Sequence, residues 1–174
     1  MKKTITVFGS SLPIEGEEQF IFAETLGREL VKNDFNVCSG GFGGIMNAVS
    51  KGAVSAGGIA IGVTVDLWNA KPNPFLTEEI KCKTLFERIE KLISTGDGYV
   101  ILQGGTGTML ELATVWEFIN KKMINPKPIV TNSQMWKEIV EIMEKQIETE
   151  KRRTGVVKSF NTVDEIVSFL VSEL

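Results

Sequence analysis

The sequence predicts an α/β fold, a doubly wound, mostly parallel sheet of about seven strands with helices on both faces. Two observations carry that expectation. Short β-branched and apolar runs alternate with longer amphipathic segments along the chain, and glycine-rich turns follow the first, second and fifth of the apolar runs. Parallel strands need long crossover connections, which the amphipathic segments supply.

The elements follow in order. Residues 4–8 form the first strand. Met1-Lys2-Lys3 has the charge of a secretory signal, but the apolar run after it is far too short for one. In the first helix, residues 17–33, Phe20, Ala23, Leu26 and Leu30 recur at helical spacing, with charges on the other face. A strand over 35–38, a helix over 45–56 and a strand over 59–65 come next. Segment 66–79 holds Trp68, Pro72 and Pro74, lacks clear periodicity, and reads as a loop over one end of the sheet. The pattern then resumes with strands over 80–83, 98–102, 128–131 and 156–160. Helices over 84–95, 109–122, 134–151 and 163–172 follow them. There is no internal repeat, low-complexity tract or linker, so residues 1–174 are expected to make one domain.

Composition narrows the function. A hydrophobic fraction of 43% and a charged fraction of 24% are ordinary for a soluble globular protein. The net charge of -3 gives no basic footprint for nucleic acid, and Lys151-Arg152-Arg153 reads as the solvated end of a helix. No apolar run is long enough to span a membrane, so a cytoplasmic protein is expected. Cys38 and Cys82 each sit in an apolar stretch and read as core thiols rather than a disulfide or metal site. The chain has no histidine. That excludes a histidine base, nucleophile or metal ligand, and with them Ser-His-Asp hydrolases and the common zinc hydrolases.

Open parallel sheets bind ligands outside the carboxyl ends of their strands. Three turns fall there: Gly9-Ser10-Ser11, Ser39-Gly40-Gly41-Phe42-Gly43-Gly44, and Gly104-Gly105-Thr106-Gly107-Thr108. Glycine lets backbone N–H groups approach a ligand, and the following helix adds unpaired N–H groups and the positive end of its dipole. Thr106 and Thr108 bring hydroxyl donors. Tight strand-to-helix packing is the bland reading of any one such turn, and three at one edge favour a phosphate. Neither G-x-G-x-x-G nor a G-x-x-x-x-G-K-[ST] P-loop is present, so a mononucleotide or sugar phosphate fits better than NAD or ATP.

Glu111 follows Gly107 by one helical turn and can look back over its rim. Leu110, Leu112, Val115 and Phe118 surround it with apolar neighbours; the alternative is an exposed glutamate serving the helix dipole. Arg88, on the helix leading into the same strand, offers a guanidinium for a phosphate or carboxylate, or else a surface side chain beside Glu87, Glu90 and Lys91.

These residues resemble a known family. Gly104-Gly-Thr-Gly-Thr-Met-Leu-Glu111 looks like the P-G-G-x-G-T-x-x-E motif of the LONELY GUY (LOG) proteins, once widely described as lysine decarboxylases. Leu85-Phe-Glu-Arg88-Ile89 falls at the place of the family's M-x-x-R-K motif, at a similar spacing from the glutamate. Gly40-Gly41-Phe42-Gly43-Gly44-Ile45-Met46 is similar to its G-G-x-x-G-[LI]-M turn, and Gly9-Ser10-Ser11 resembles its first-strand G-S-S. The resemblance implies a Rossmann-like fold, a homodimer, and a phosphoribohydrolase. Such an enzyme splits AMP or a cytokinin riboside monophosphate into free base and ribose 5-phosphate. Arg88 and Glu111 carry the family's catalytic roles, and Met46 joins the glycines and hydroxyls at the phosphate. No metal or organic cofactor is implied.

This chain departs from the pattern at Gln103 (proline in the family), Ile89 (lysine), Leu85 (methionine) and Ser39, where the second glycine turn begins. Those departures keep a second reading open: a non-catalytic nucleotide-binding or molybdenum-cofactor carrier or sensor. A third, DNA processing by a related domain, is weakened by the acidic balance. The apolar residues of segments 109–122 (Trp116, Phe118) and 134–151 (Trp136, Ile139, Met143) read mostly as core, with a dimer surface second.

Overall fold

A computed structural model describes residues 2–67 and 70–174, so Met1 and the expectation placed on Trp68 lie outside the described residues. The strands are β1 (Thr4–Phe8), β2 (Asn36–Ser39), β3 (Ala60–Val65), β4 (Glu78–Cys82), β5 (Gly98–Ile101), β6 (Ile129–Thr131) and β7 (Val157–Ser159). Between and after them come α1 (Glu18–Lys32), α2 (Ile45–Ser55), α3 (Leu85–Thr95), α4 (Thr106–Asn120), α5 (Gln134–Thr149) and α6 (Val163–Glu173). Among the described residues the sheet has seven strands in the order β4-β3-β2-β1-β5-β6-β7. Every pairing is parallel, so the expected mostly parallel sheet is parallel throughout. This is a Rossmann-like fold.

Strand alternation sorts the core into two layers. Ile5 and Val7 of β1 face α1, α2 and α6, which contribute Leu26, Val49 and Ile166. Phe8 points the other way, into the layer of α3, α4 and α5 with Leu92, Leu112 and Trp136. Thr6 shares that second side and donates its hydroxyl to Leu92 O on α3 at 3.0 Å, which satisfies a polar group buried mid-sheet. Cover on both faces buries β1 and β5 along their whole length and β2 from Val37 on, so Thr4, Thr6 and Ser39 are enclosed along with the apolar residues.

Most element ends shift by a residue or two from the sequence reading, and three of the shifts have a clear physical reason. β4 begins at Glu78 rather than residue 80; as an edge strand it is half solvated, so Glu78-Glu79 carries no apolar signal. α5 stops at Thr149. The basic triplet therefore lies beyond the helix, with Lys151 at φ 56° and Arg152 paired to Glu117 and Glu150 at 3.4 and 3.5 Å. The third difference bears on function. α4 begins at Thr106, not Met109, because Met109 N–H donates to Gly105 O at 3.0 Å and closes the first turn. Thr106, Gly107 and Thr108 are thus the N-terminal turn of a helix rather than a loop.

The chain runs outward from β1 to β4, returns across the sheet through α3, and starts again at β5 beside β1. The connections leaving β1 and β5 diverge, which opens a crevice at their carboxyl ends.

Candidate active site

Ser10 ties the three glycine turns together at that crevice. Its N–H donates to Gln103 O at 2.9 Å, and its carbonyl accepts from Ile45 N–H, the first residue of α2, at 2.8 Å. Gly44 sits at φ 64°, and a Cβ there would fall 2.3 Å from Ser10 O. The first two turns are therefore packed against each other, and one of α2's leading N–H groups is already occupied by protein. The start of α4 is different. A Cβ on Gly105 or Gly107 would meet no atom within 4 Å, so these two glycines border open space.

The space they border is a cavity of about 540 Å³. It is lined by Gly9, Ser10, Ser11, Met46, Gly105, Thr106, Gly107 and Thr108, together with Arg88 and Glu111. Gly40, Gly41, Gly44 and Gly104 are not in its wall. A Cβ on Gly40 would lie 1.9 Å from Arg88 Nη2, and one on Gly104 would lie 2.1 Å from Thr108 Oγ1. Gly41, at φ 77°, packs on Gly62 and Thr64 of β3. At those four positions glycine answers to packing. Leu12, Phe42 and Ala70 complete the lining and escaped the sequence reading. Phe42 lies inside a quoted turn; Ala70 carries no local signal.

Arg88 is buried, 6% exposed, which rules out the surface reading. Its Nε donates to Val63 O at 2.8 Å and its Nη2 to Gly40 O at 3.0 Å. Met46 Sδ lies 4.0 Å from Nη2, and the Phe42 ring centroid is 5.6 Å from the guanidinium carbon. Two backbone carbonyls thus fix the plane of the guanidinium, leaving Nη1 3.9 Å from Glu111 Oε1.

Glu111 belongs to the second turn of α4, and its side chain is 14% exposed. Leu110 is exposed and Leu112 fully buried, so Glu111 lies at the margin of the core rather than within it. Burial pushes the Glu111 carboxyl up to about 7, against the pull of Arg88. Burial also lowers Arg88, with Glu111 opposing. In a dominant ion pair the arginine would rise and the glutamate fall. Desolvation outweighs attraction on both partners, as a 3.9 Å separation without hydrogen-bond contact leads one to expect.

Other titratable groups nearby are spoken for. Burial pushes the Cys38 thiol up to about 12, so it is no nucleophile, and Tyr99 is raised and donates to Ile93 O at 2.7 Å. Both cysteines are buried and free, and among the described residues no cluster of three His, Cys, Asp or Glu side chains offers a metal site. Among the residues lining the cavity, Glu111 is the one acid.

The departures from the family motif take on a physical sense. Ile89 is buried in the α3–α4–α5 layer and Leu85 packs against it, and neither lines the cavity. Gln103 is exposed and accepts from Gln19 Nε2 at 2.6 Å, while its carbonyl holds Ser10. Ser39 is fully buried and its Oγ accepts from Gly41 N–H at 3.2 Å, which starts the second turn.

An open parallel sheet, a helix N-terminus bordering a cavity at its switch point and a buried Arg–Glu pair in the same lining define a Rossmann-like protein with one carboxyl group in the cavity wall. The chain belongs to the SLOG cluster4 family, whose profile matches residues 2–167. It is similar to the cytokinin riboside 5'-monophosphate phosphoribohydrolase of Rhodococcoides fascians, 27% identical over 134 residues, or 75% of this chain and 68% of that protein. It is also similar to the pyrimidine/purine nucleotide 5'-monophosphate nucleosidase of Escherichia coli K12, 33% identical over 107 residues. That match covers 55% of this chain but only 23% of the longer relative. The molybdenum cofactor carrier protein of Chlamydomonas reinhardtii superposes with a TM-score of 0.77 at 21% identity, covering 99% of this chain and 98% of that one. At that identity the likeness is one of fold.

Proposed function

We propose that this protein is a nucleoside 5′-monophosphate phosphoribohydrolase, cutting the N-glycosidic bond of AMP or a cytokinin riboside monophosphate to give free base and ribose 5-phosphate. One observation carries the reading: the single acid in the cavity wall, Glu111, stands within ion-pair range of a fixed arginine and beside the open start of α4. Both enzymes named above act on nucleoside 5'-monophosphates by name, which supports the same class.

The chemistry follows from the placement. The N–H groups at the start of α4, with Thr106 and the open faces of Gly105 and Gly107, receive the 5′-phosphate. Binding energy at the phosphate then positions the sugar. Breaking the glycosidic bond builds positive charge on the ribose, by analogy with glycoside hydrolysis, and the Glu111 carboxylate stabilises that charge and orients the attacking water. Arg88 is held by Val63 O and Gly40 O, so it acts on Glu111 from a fixed position instead of following the substrate. With one acid in the cavity wall, the departing base takes its proton from solvent. The carrier reading gains nothing specific, because holding a phosphate needs no carboxylate beside it.

A cytoplasmic homodimer belongs to this reading. No described helix is long and apolar enough to cross a membrane. Met109, Leu110, Ile142 and Met143 of α4 and α5 are exposed and supply an apolar face for a second copy, while Trp116 and Trp136 are core. Sedimentation equilibrium tests the dimer. Product analysis with AMP and a panel of nucleoside monophosphates tests the activity. Base and ribose 5-phosphate should appear with the native protein and not with Glu111→Gln; release by both proteins would remove Glu111 from the mechanism.

A further inference from the structure

Residues 70–77 bring a buried amide to the second glycine turn. Asn73 is 8% exposed although it lies between Pro72 and Pro74 and outside any described helix or strand. Its backbone N–H donates to Gly41 O at 2.9 Å, and its side-chain Nδ2 donates to Phe42 O at 3.2 Å. Its Oδ1 accepts from Phe75 N–H at 3.1 Å, which closes the connection into a turn around it. One residue therefore grips two successive carbonyls of the second glycine turn.

The carbonyl just before those two, Gly40 O, is the one that accepts from Arg88 Nη2 at 3.0 Å. The Phe42 ring, whose own carbonyl Asn73 holds, packs over the same guanidinium at 5.6 Å. Arg88 Nη1 in turn stands 3.9 Å from Glu111. The contacts form an unbroken series from Asn73, through the glycine turn and Arg88, to Glu111. Ala70, three residues before Asn73, lines the cavity, so the clasp also seats part of its wall.

We infer that Asn73 is a positioning residue, which fixes the 40–44 turn and through it the placement of Arg88 against Glu111. The inference rests on the phosphoribohydrolase reading for its kinetic consequence, but not for its structural one. A buried amide that held only a loop would affect stability alone. An amide that sets the Gly40 carbonyl should change the reacting geometry, where a displacement of about 1 Å costs on the order of a hundredfold in rate.

The test is a double-mutant cycle of Asn73→Ala and Arg88→Lys, read by kcat, KM and melting temperature. Asn73→Asp runs in parallel; it keeps the acceptor for Phe75 and loses the donor to Phe42, and it serves if the alanine variant does not fold. We expect Asn73→Ala to lower kcat at least tenfold with KM changed less than threefold. The combined variant should be no slower than Arg88→Lys alone, because the two residues act in series. Rates within twofold of native for Asn73→Ala, or losses that multiply in the double variant, would overturn the inference. If the native protein releases base from no nucleotide, the phosphoribohydrolase reading fails by itself. The same cycle is then read on the dissociation constant for ribose 5-phosphate by titration calorimetry. A coupled loss there sustains the role of Asn73, and independent losses end it.

Discussion

Arg88 Nη1 and Glu111 Oε1 stand 3.9 Å apart, within ion-pair range and beyond hydrogen-bond reach. The arginine's other contacts explain the gap. Val63 O and Gly40 O bind Nε and Nη2, so the guanidinium is oriented by the backbone and not by its acidic partner. Glu111 therefore stays a buried carboxyl with a titration point near the physiological range, rather than a locked carboxylate.

That placement sets a pH dependence for catalysis. Glu111 works as a carboxylate in the proposed mechanism, and its carboxyl is raised to about 7. The value of kcat/KM should therefore rise with pH and level off above about 7, and Glu111→Gln should lose at least about a hundredfold in kcat without that acid limb. A pH–rate profile of the native protein with AMP decides the matter. A rate that falls as pH rises through 7 would make Glu111 a proton donor instead.

The same group links pH to stability. Its folded value of about 7 exceeds its ordinary 4.5, so between those values the folded protein holds a proton that the unfolded chain has released. Stability from Glu111 is full below the lower value and declines until pH passes the upper one. The whole decline is on the order of 3 kcal/mol, or about 6–12 °C in melting temperature for a chain of this size. Thermal melts between pH 4.5 and 8 should show Glu111→Gln gaining on the native protein as pH rises. A constant difference across that range would mean that the carboxyl is not desolvated as its position implies.

Much of this site is legible in residue order, and the illegible parts share a physical cause. The strand ends, the three turns, Arg88 and Glu111 are local features: a turn type, a helical spacing, a charge in an apolar setting. What sequence cannot separate is which glycine is packed against protein and which borders open space, since both place the same residue in the same kind of turn. Gly40 and Gly105 look alike in the chain, yet one abuts a guanidinium and the other faces open space. The N-terminal turn of α4 reads as loop because Gly-Thr-Gly-Thr has poor intrinsic helix preference, and tertiary placement overrides it. Asn73 and Ala70 reach the site only through a connection whose path depends on the whole sheet.

The glycine distinction makes a prediction of its own. Gly40→Ala would drive a methyl group to within 1.9 Å of Arg88 Nη2, so the arginine or the turn must move. That should cost about 1–3 kcal/mol of stability, as overpacking does, and lower kcat by displacing Arg88. Gly105→Ala meets nothing within 4 Å and its φ is negative, so its melting temperature should fall less than that of Gly40→Ala. The new methyl instead occupies the space assigned to the phosphate, and affinity for ribose 5-phosphate, measured by calorimetry, should fall at least about tenfold, the factor that 1.4 kcal/mol represents. If Gly105→Ala binds ribose 5-phosphate as tightly as the native protein, the phosphate does not sit at the start of α4, and the anion must be sought elsewhere along the crevice.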